Sequence, residues 1–225
     1  WGDGFYLGGQ TNSDILLCRV TADSNRRNGV SIVAADGVLI NRSTFVNTAG
    51  TSPQGGVDIE PNEAGIAENI VLANSLVRGN RGPGVSIVGC KGCNVKVRNN
   101  VVLENHILDN GGDGVLLRYD DHRVTGNVIE NSGGNGINAW NTARSTITDN
   151  TIRHSGQTGI QLEDARDGHI QNNIFDANPK MIYVRRGTNA NQIDGNRCSG
   201  GGAVTYQPGV ADGNHWGVNR GCGPR

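Results

Sequence analysis

The sequence from Asn127 to Asn196 repeats every 23 residues, and this repeat decides the fold. One asparagine stands at the same place in each repeat: Asn127, Asn150, Asn173 and Asn196. In the first three repeats a bulky apolar residue follows two positions later: Ile129, Ile152 and Phe175. A fixed short period of this kind is typical of repeat architectures, in which each repeat forms one structural unit.

Within each repeat, apolar residues alternate with other residues, as in Gly136-Ile137-Asn138-Ala139 and Gly159-Ile160-Gln161-Leu162. A period of two predicts strands and not helices. Because these runs are short, one repeat cannot bury its apolar face alone, whereas stacked repeats can. The sequence therefore predicts an all-β fold, a right-handed parallel β-helix (a solenoid) of about eight rungs of roughly 22–30 residues.

The repeated asparagines have a structural explanation. Stacked rungs lie about 4.8 Å apart, so an asparagine at the same corner of each rung can bond to its neighbours above and below, as in the amide ladders of cross-β structures. We therefore predict that these asparagines form a structural ladder.

The same pattern extends towards both ends as a single domain of residues 1–225. The glycines that open successive rungs are separated by 25, 27, 28, 30, 22 and 23 residues: Gly4, Gly29, Gly56, Gly84, Gly114, Gly136 and Gly159. The extra residues of the early rungs predict longer loops at 48–55 and 61–68, where function often lies. The glycine-rich segment 200–225 loses the pattern and predicts an irregular C-terminal wrap. Because the pattern already begins at Gly4, we expect the N-terminal cap of the solenoid to be missing.

The composition excludes several classes of partner. The chain has 225 residues, 35 glycines and a formal net charge of −1. This charge gives no basis for binding nucleic acid. No apolar run is long enough to predict a membrane span. We therefore expect neither nucleic acid nor a membrane as a partner.

Five cysteines allow different pairings. Cys90 and Cys93 are predicted to form a local disulfide in a turn, since neither the helix of a redox CxxC motif nor the second pair of a zinc site is present. Cys198 and Cys222 are predicted to staple the tail to the last rung. Cys18, near apolar neighbours, is predicted to be a small core residue. This cysteine usage favours an oxidising compartment and a secreted protein.

Residues between the apolar positions of the first strand should point outward and stack in columns. These columns hold carboxylates, guanidiniums, amides and flat aromatic rings: Asp58, Glu60 and Glu163; Arg118 and Arg185; Asn138 and Gln161; Trp140 and Tyr183. Such side chains suit a sugar polymer, because aromatic faces cover sugar rings and arginines neutralise acidic groups. The alternative is an ordinary solvated surface on which Arg118 and Glu163 screen each other.

The turn after Arg118 is rich in ionisable residues, Tyr119-Asp120-Asp121-His122-Arg123. His122 is a candidate general base, and Asp120 or Asp121 a candidate acid or metal ligand. The alternative is that the aspartates accept backbone N–H groups in the turn.

A second acidic segment is Asp58-Ile59-Glu60-Pro61-Asn62-Glu63. Asp58 and Glu60 share a strand face, about 6.6 Å apart along the chain. They could act as the two carboxylates of glycoside hydrolysis, or bind Ca²⁺ together with Asn62. They could also be plain surface acids. We expect no cofactor other than this Ca²⁺.

With this rung pattern, the chain resembles the pectate-lyase-like superfamily of right-handed β-helix proteins. Segment 2–9 is similar to the opening rung of bacterial β-helix proteins that act on polysaccharides, and rungs such as 114–131 are similar to those of alginate C5-epimerase modules. Those modules carry a Gly-apolar-Asp-Pro-His catalytic segment. Gly56-Val57-Asp58 matches its start, whereas Ile59 and Glu60 replace the proline and histidine. The Gly-His-Gly motif of polygalacturonase-like hydrolases is not found.

The resemblance and the candidate residues predict an extracellular enzyme that acts on an acidic polysaccharide. The main hypothesis is a lyase, in which arginines neutralise a uronate carboxylate while His122 or Tyr119 removes the C5 proton. A C5-epimerase would share this proton abstraction. A glycoside hydrolase would use paired carboxylates drawn from Asp58, Glu60 and Glu163. A different class, a non-catalytic adhesin or spike fragment, would bind glycan without turnover.

Overall fold

The computed structural model describes residues 2–10, 12–62, 64–89 and 92–223, and all regular structure in them is β. No helix that could span a membrane occurs in these ranges. The strands are β1 Phe5–Leu7, β2 Asn12–Cys18, β3 Thr21–Asp23, β4 Asn28–Ile32, β5 Ala35–Asn41, β6 Thr44–Val46, β7 Gly55–Ile59, β8 Ile66–Ala73, β9 Leu76–Arg78, β10 Val85–Ile87, β11 Lys96–Arg98, β12 Val101–Leu103, β13 His106–Leu108, β14 Val115–Leu117, β15 Arg123–Thr125, β16 Val128–Glu130, β17 Ile137–Ala143, β18 Thr146–Thr148, β19 Thr151–Arg153, β20 Ile160–Arg166, β21 His169–Gln171, β22 Ile174–Asp176, β23 Ile182–Val184, β24 Asn189–Asp194, β25 Arg197–Ser199, β26 Thr205–Tyr206 and β27 Gly213–Trp216.

These strands stack in parallel into three faces of a solenoid of about nine turns. Sheet 1 contains β1, β4, β7, β10, β14, β17, β20, β23 and β26. Sheet 2 contains β2, β5, β8, β11, β12, β15, β18, β21, β24 and β27, and the corners in β17 and β20 join it to sheet 1. Sheet 3 contains β3, β6, β9, β13, β16, β19, β22 and β25. The predicted parallel β-helix is confirmed.

The apolar residues form a continuous core because each rung repeats the same inward positions. One inward column of sheet 1 is fully buried and contains Val30, Val57, Val85, Val115, Ile137, Ile160 and Ile182. Burying each such side chain contributes roughly 1.5–3 kcal/mol. The stack therefore supplies the stability that a single rung lacks.

The asparagine ladder runs along one corner of the solenoid, as predicted. Asn150 Oδ1 accepts hydrogen bonds from both the backbone N–H (3.0 Å) and Nδ2 (2.9 Å) of Asn127. Asn173 Oδ1 does the same for Asn150, at 3.0 Å from each nitrogen. Each Nδ2 also reaches a carbonyl of the rung before, as Asn150 Nδ2 does at Val124 O (2.9 Å). The ladder thus satisfies buried backbone groups at a corner where no strand pairing is available.

The C-terminal tail continues the solenoid for part of one more rung and is disulfide-bonded through the predicted pair, Cys198 and Cys222. Tyr206 and Trp216 lie in register with Val184 and Ile193. The Trp216 ring packs against the end of the core, and the exposed Tyr206 ring contacts it edge-on, with centroids 6.2 Å apart. The Asp212 carboxylate accepts hydrogen bonds from Tyr206 Oη (3.0 Å) and Trp216 Nε1 (2.5 Å), which fixes both rings in place.

The prediction that Cys18 belongs to the core is wrong. Cys18 is exposed at the end of β2. Alternation along this strand turns Ile15 and Leu17 inward and leaves Leu16 and Cys18 outside. Cys93 is disulfide-bonded, and the predicted Cys90–Cys93 pair includes Cys90, which lies outside the described residues.

Replacing Asn150 by alanine should strongly destabilise the fold. The change removes the acceptor of Asn127 and the donor to the buried carbonyl of Val124. Buried groups without partners cost about 1–3 kcal/mol each, so the free energy of unfolding in urea should fall by at least about 2 kcal/mol. The exposed Asn189 provides the matched control. An Asn150→Ala variant as stable as Asn189→Ala would contradict a structural ladder.

Candidate functional site

Asp58 lies at an outward position of sheet 1 and is nevertheless buried, with only 3% of the residue exposed. Ser31 and Ser86 flank it in register on the rungs before and after, and both are also buried. Asn28 Nδ2 donates a hydrogen bond to Asp58 Oδ2 at 2.9 Å. Asp58 thus lies on the outward face as predicted, but its side chain is buried there.

Asn28 is held in one orientation by its own hydrogen bonds. Its Nδ2 also donates to Ser31 Oγ (2.9 Å), and its Oδ1 accepts from the backbone N–H of Gly55 (2.9 Å). Its backbone N–H donates to Asp3 Oδ1 at 3.0 Å. Because the amide cannot rotate without losing these bonds, it presents a fixed donor to Asp58.

Arg27 adds a positive charge beside this buried carboxyl. Arg27 Nη1 lies 3.3 Å from Asp3 Oδ2, and the Arg27 side chain is 36% exposed whereas that of Asp3 is 9% exposed. The guanidinium therefore remains accessible while its ion pair anchors it. We name Asp3, Arg27, Asn28, Asp58 and Glu60 the Asp58 cluster.

Sequence reasoning missed three members of this cluster, namely Asp3, Arg27 and Asn28. A signal was present, because Asp3 and Asn28 each stand directly before the glycine that opens a rung. Parallel stacking places the residues at such a position side by side. The Asn28 amide reaches from this column to Asp58, three positions further along the next rung.

The environment of Asp58 raises the pKa of its carboxyl towards neutral pH. Burial is the main cause and raises the pKa of Asp58 to about 7, and the nearby charges of Glu60 and Asp3 act in the same direction. The charge of Arg27 and the hydrogen bond from Asn28 act in the opposite direction. A carboxyl that titrates near neutral pH is suited to taking up and releasing a proton during catalysis.

His122, the predicted general base, is buried and hydrogen-bonded inside the solenoid. It is 1% exposed, Nδ1 accepts from the backbone N–H of Asn100 (3.3 Å), and Nε2 donates to the carbonyl of Arg118 (2.9 Å). Its backbone N–H donates to Ser145 Oγ at 3.3 Å. Burial lowers the pKa of His122 to about 4. Both ring nitrogens form hydrogen bonds inside the solenoid, so the imidazole is part of a ladder of side-chain hydrogen bonds at one corner.

The aspartates of the same turn also have structural partners. Asp121 Oδ1 lies 2.8 Å from Arg144 Nε, and Asp120 Oδ2 lies 3.1 Å from Arg144 Nη2. Hydrogen bonding from Arg144 lowers the pKa of Asp121. Asp120 Oδ1 accepts from the backbone N–H of Ala143 (2.9 Å), which lies on the next rung and not in the same turn. The catalytic role of Asp121 stays a prediction, and its pairing with Arg144 favours the ionised form over an acid.

The C-terminal half of sheet 1 holds a separate group of predicted residues. The Arg118 guanidinium stacks on the Trp140 ring, with Cζ 3.9 Å from the ring centroid. Glu163 is buried, and its two oxygens bind Arg185 Nη1 (2.5 Å) and Arg186 Nε (3.1 Å). Glu163 therefore pairs with these two arginines and not with Arg118. We name these five residues the Trp140 cluster.

The remaining predicted binding residues line the same stretch. Gln161 Nε2 donates to Asn138 Oδ1 at 3.3 Å, and Asn138 Nδ2 donates to Asp113 Oδ2 at 2.9 Å. Lys180 lies over the Tyr183 ring, 3.9 Å from its centroid. Tyr119 lines a cavity of about 420 Å³ beside the Trp140 cluster.

The two clusters are separated along the solenoid. Leu116, in register with Ser86 and hence with Asp58, lies two rungs beyond Asp58, which corresponds to about 10 Å. Arg118 follows two residues later on the same face. The residues predicted as one site thus form two groups on one wall.

The Ca²⁺ site predicted at Asp58, Glu60 and Asn62 stays a prediction. In the ranges that the structure describes, no three His, Cys, Asp or Glu side chains come together as metal ligands. The Asn62 carbonyl accepts the backbone N–H of Gly65 (2.8 Å) in a turn.

Comparison with known proteins agrees with this architecture. Residues 101–222 match the family described as "Right handed beta helix region". The chain belongs to the right-handed β-helix family. No protein of curated function matches the sequence significantly.

Several solved β-helix structures are similar to this chain. The A-module of the Azotobacter vinelandii mannuronan C-5 epimerase AlgE6 superposes with a TM-score of 0.75 at 17% identity, covering 92% of this chain and 58% of that one. The periplasmic alginate epimerase AlgG gives 0.60 at 16% identity, covering 91% and 47%. The DFA-IIIase of Arthrobacter chlorophenolicus A6 gives 0.65 at 13% identity, covering 100% and 60%. At these identities the likeness is one of fold, and this β-helix chain spans about half to three-fifths of those proteins.

Removing the Asp58 carboxyl should stabilise the protein at high pH. The pKa of Asp58 is near 7 in the folded state and near 3.8 in the unfolded state. Its contribution to the free energy of unfolding is therefore complete below pH 3.8 and is lost as pH rises through 7. Asp58→Asn keeps an acceptor for Asn28 and no longer ionises. Its melting temperature should exceed that of the wild type at pH 8 and approach it near pH 4. If Asp58→Asn is less stable than the wild type at pH 8, the Asp58 carboxyl is not buried with a raised pKa.

His122→Asn should reduce the sensitivity of the fold to acid. The folded-state pKa of His122 is near 4 and the unfolded value near 6.5, so its stabilising effect is complete above pH 6.5 and is lost as pH falls to 4. The loss in unfolding free energy between pH 7 and 4 should be smaller in the variant, by an amount on the order of 1–3 kcal/mol. The exposed His169→Asn serves as control. Equal losses of unfolding free energy in the wild type, His122→Asn and His169→Asn would contradict a buried, neutral His122.

Proposed function

We propose that this β-helix chain belongs to an enzyme that transfers a proton at an acidic polysaccharide, with C5 epimerisation of a uronate unit as its reaction. The observation that supports it most is the Asp58 cluster, where a buried carboxyl of pKa about 7 lies beside an accessible guanidinium. Similar structures include two mannuronan C-5 epimerases and the alginate epimerase AlgG. The disulfide between Cys198 and Cys222 supports an oxidising compartment, and we propose that the enzyme is secreted.

In this proposal Arg27 and Asp58 divide the chemistry. A uronate carboxylate beside the Arg27 guanidinium is neutralised, so that the neighbouring C5–H bond becomes more acidic. Ionised Asp58 takes the proton, and the electron pair of the broken bond moves into the carboxylate of the sugar. A water molecule on the opposite face of C5 then donates a proton there as the electron pair returns to C5, which gives the epimer, and the hydroxide left behind is neutralised by the proton that Asp58 releases to solvent. General acid–base catalysis of this kind contributes about 10²- to 10⁴-fold to the rate.

The same proton abstraction would make a lyase if the group at C4 left instead. In both reactions the base is a carboxylate and not His122, which is buried in a ladder. Epimerisation is the better-supported form, because the similar structures include epimerases.

A second candidate function is cleavage of a glycosidic bond. Asp58 lies in β7 and Glu60 follows directly after its end, and the raised pKa of Asp58 suits a general acid at neutral pH. The similarity to a DFA-IIIase structure supports this alternative. Here Asp58 would protonate the leaving oxygen, while Glu60 would act as base or nucleophile.

Incubation with uronate polymers in D₂O distinguishes these reactions. Epimerisation incorporates deuterium at C5, observed by NMR, without chain cleavage. Elimination gives unsaturated ends that absorb in the ultraviolet, and hydrolysis gives reducing ends alone. We expect deuterium incorporation that Asp58→Asn abolishes and that Asp149→Asn, at an exposed corner, leaves unchanged.

The pH dependence provides an independent criterion. If ionised Asp58 is the base, kcat/KM rises as pH increases through about 7; if protonated Asp58 is a general acid, kcat/KM falls over the same range. Full deuterium incorporation by Asp58→Asn would rule out the assignment of Asp58.

A further inference from the structure

We propose that the Trp140 cluster contains a subsite for the carboxylate of a second sugar unit, and that Arg118 binds this carboxylate. This inference deepens the proposed function, since it places an acidic polysaccharide along sheet 1. The subsite lies apart from the Asp58 cluster and would hold a unit that does not react.

Arg118 differs from the other arginines of this wall in its partners. Among the described residues, its guanidinium has no hydrogen-bond or ion-pair partner. In contrast, Arg185 and Arg186 both bind Glu163. Arg118 is thus the arginine of these three whose N–H donors are not engaged by Glu163.

Stacking on Trp140 orients the Arg118 guanidinium without using its hydrogen-bond donors. The ring contacts the flat face of the guanidinium, with Cζ 3.9 Å from the centroid. The N–H groups point along the edges of that plane, where they form a fork that matches a carboxylate. A carboxylate at this edge would accept charge-assisted hydrogen bonds from the Nη groups of Arg118.

A cavity of about 420 Å³ adjoins this guanidinium and offers room for a sugar ring. Its polar lining includes Arg118, Tyr119, Asn141, Asp164 and Arg186. Arg186 already binds Glu163, and the Asp164 carboxylate repels anions placed next to it. Arg118 is therefore the lining residue best suited to receive a carboxylate.

The separation of the two clusters determines which sugar unit Arg118 can bind. Along sheet 1, Arg118 lies two rungs and Trp140 three rungs beyond Asp58, which corresponds to about 10–14 Å. One sugar ring cannot contact both Asp58 and Arg118. Binding of a remote unit therefore anchors the polymer while a different unit meets Asp58.

Calorimetric titration with an oligomannuronate long enough to cover both clusters tests the subsite directly. Arg118→Gln should bind at least about ten-fold more weakly than the wild type, and Arg118→Lys should fall between them, since lysine keeps the charge but loses the fork. Arg123→Gln is the matched control, because Arg123 is exposed on sheet 2. It should bind as the wild type does.

A second titration changes the ligand and leaves the protein intact, so it does not depend on whether a variant folds. The carboxyl-reduced form of the same oligosaccharide should bind the wild-type protein at least about ten-fold more weakly than the acidic form. Equal affinity for both forms, or Arg118→Gln binding as tightly as the wild type, would overturn the subsite.

The failure of the subsite and that of the proposed reaction remain distinguishable. Asp58→Asn should retain wild-type affinity for the oligomannuronate, because Arg118 is intact. Arg118-dependent binding without turnover by the wild type would contradict the reaction and support the subsite. Turnover with a KM that Arg118→Gln leaves unchanged would contradict the subsite alone.

Discussion

Hydrogen bonding between rungs is the constraint on which the structure depends. Parallel pairing aligns every rung with the next, and the asparagine ladder from Asn105 to Asn219 maintains the same register at a corner where strands end. Because each rung repeats the same positions, residues about 25 apart in sequence become neighbours in space. A one-residue slip would turn the apolar columns outward, so burial itself enforces the register.

The same register creates the Asp58 cluster. Asp3, Asn28 and Asp58 come from three successive rungs, and a hydrogen bond joins each pair of neighbours. Burying the Asp58 carboxyl opposes folding at neutral pH, since desolvation is the main cause of its raised pKa. A regular solenoid tolerates this cost because its long apolar core stabilises every rung. Functional groups are often destabilising in this way.

The sequence sufficed to predict the fold, the ladder and the outward columns, because these follow from a period that is visible in the residues. Three features escaped prediction for physical reasons. Asn28 carries no signal of its own in the sequence, and only stacking places its amide against Asp58. His122 looked catalytic, although its ring nitrogen substitutes for an asparagine oxygen in a ladder. Glu163 pairs with Arg185 and Arg186 because their long side chains extend to the neighbouring rung. The periodicity of the strands gives residue positions and does not predict such contacts.

The central claim is that stacked rungs bury the Asp58 carboxyl beside Asn28 and thereby bring its titration to neutral pH. An NMR titration of the protein labelled with ¹³C at aspartate carboxyls measures this directly, with Asp58→Asn identifying the signal. The account predicts one aspartate with a midpoint near pH 7. If the Asp58 signal titrates near pH 4, as a solvated aspartate does, the carboxyl is not buried as described and the account is contradicted.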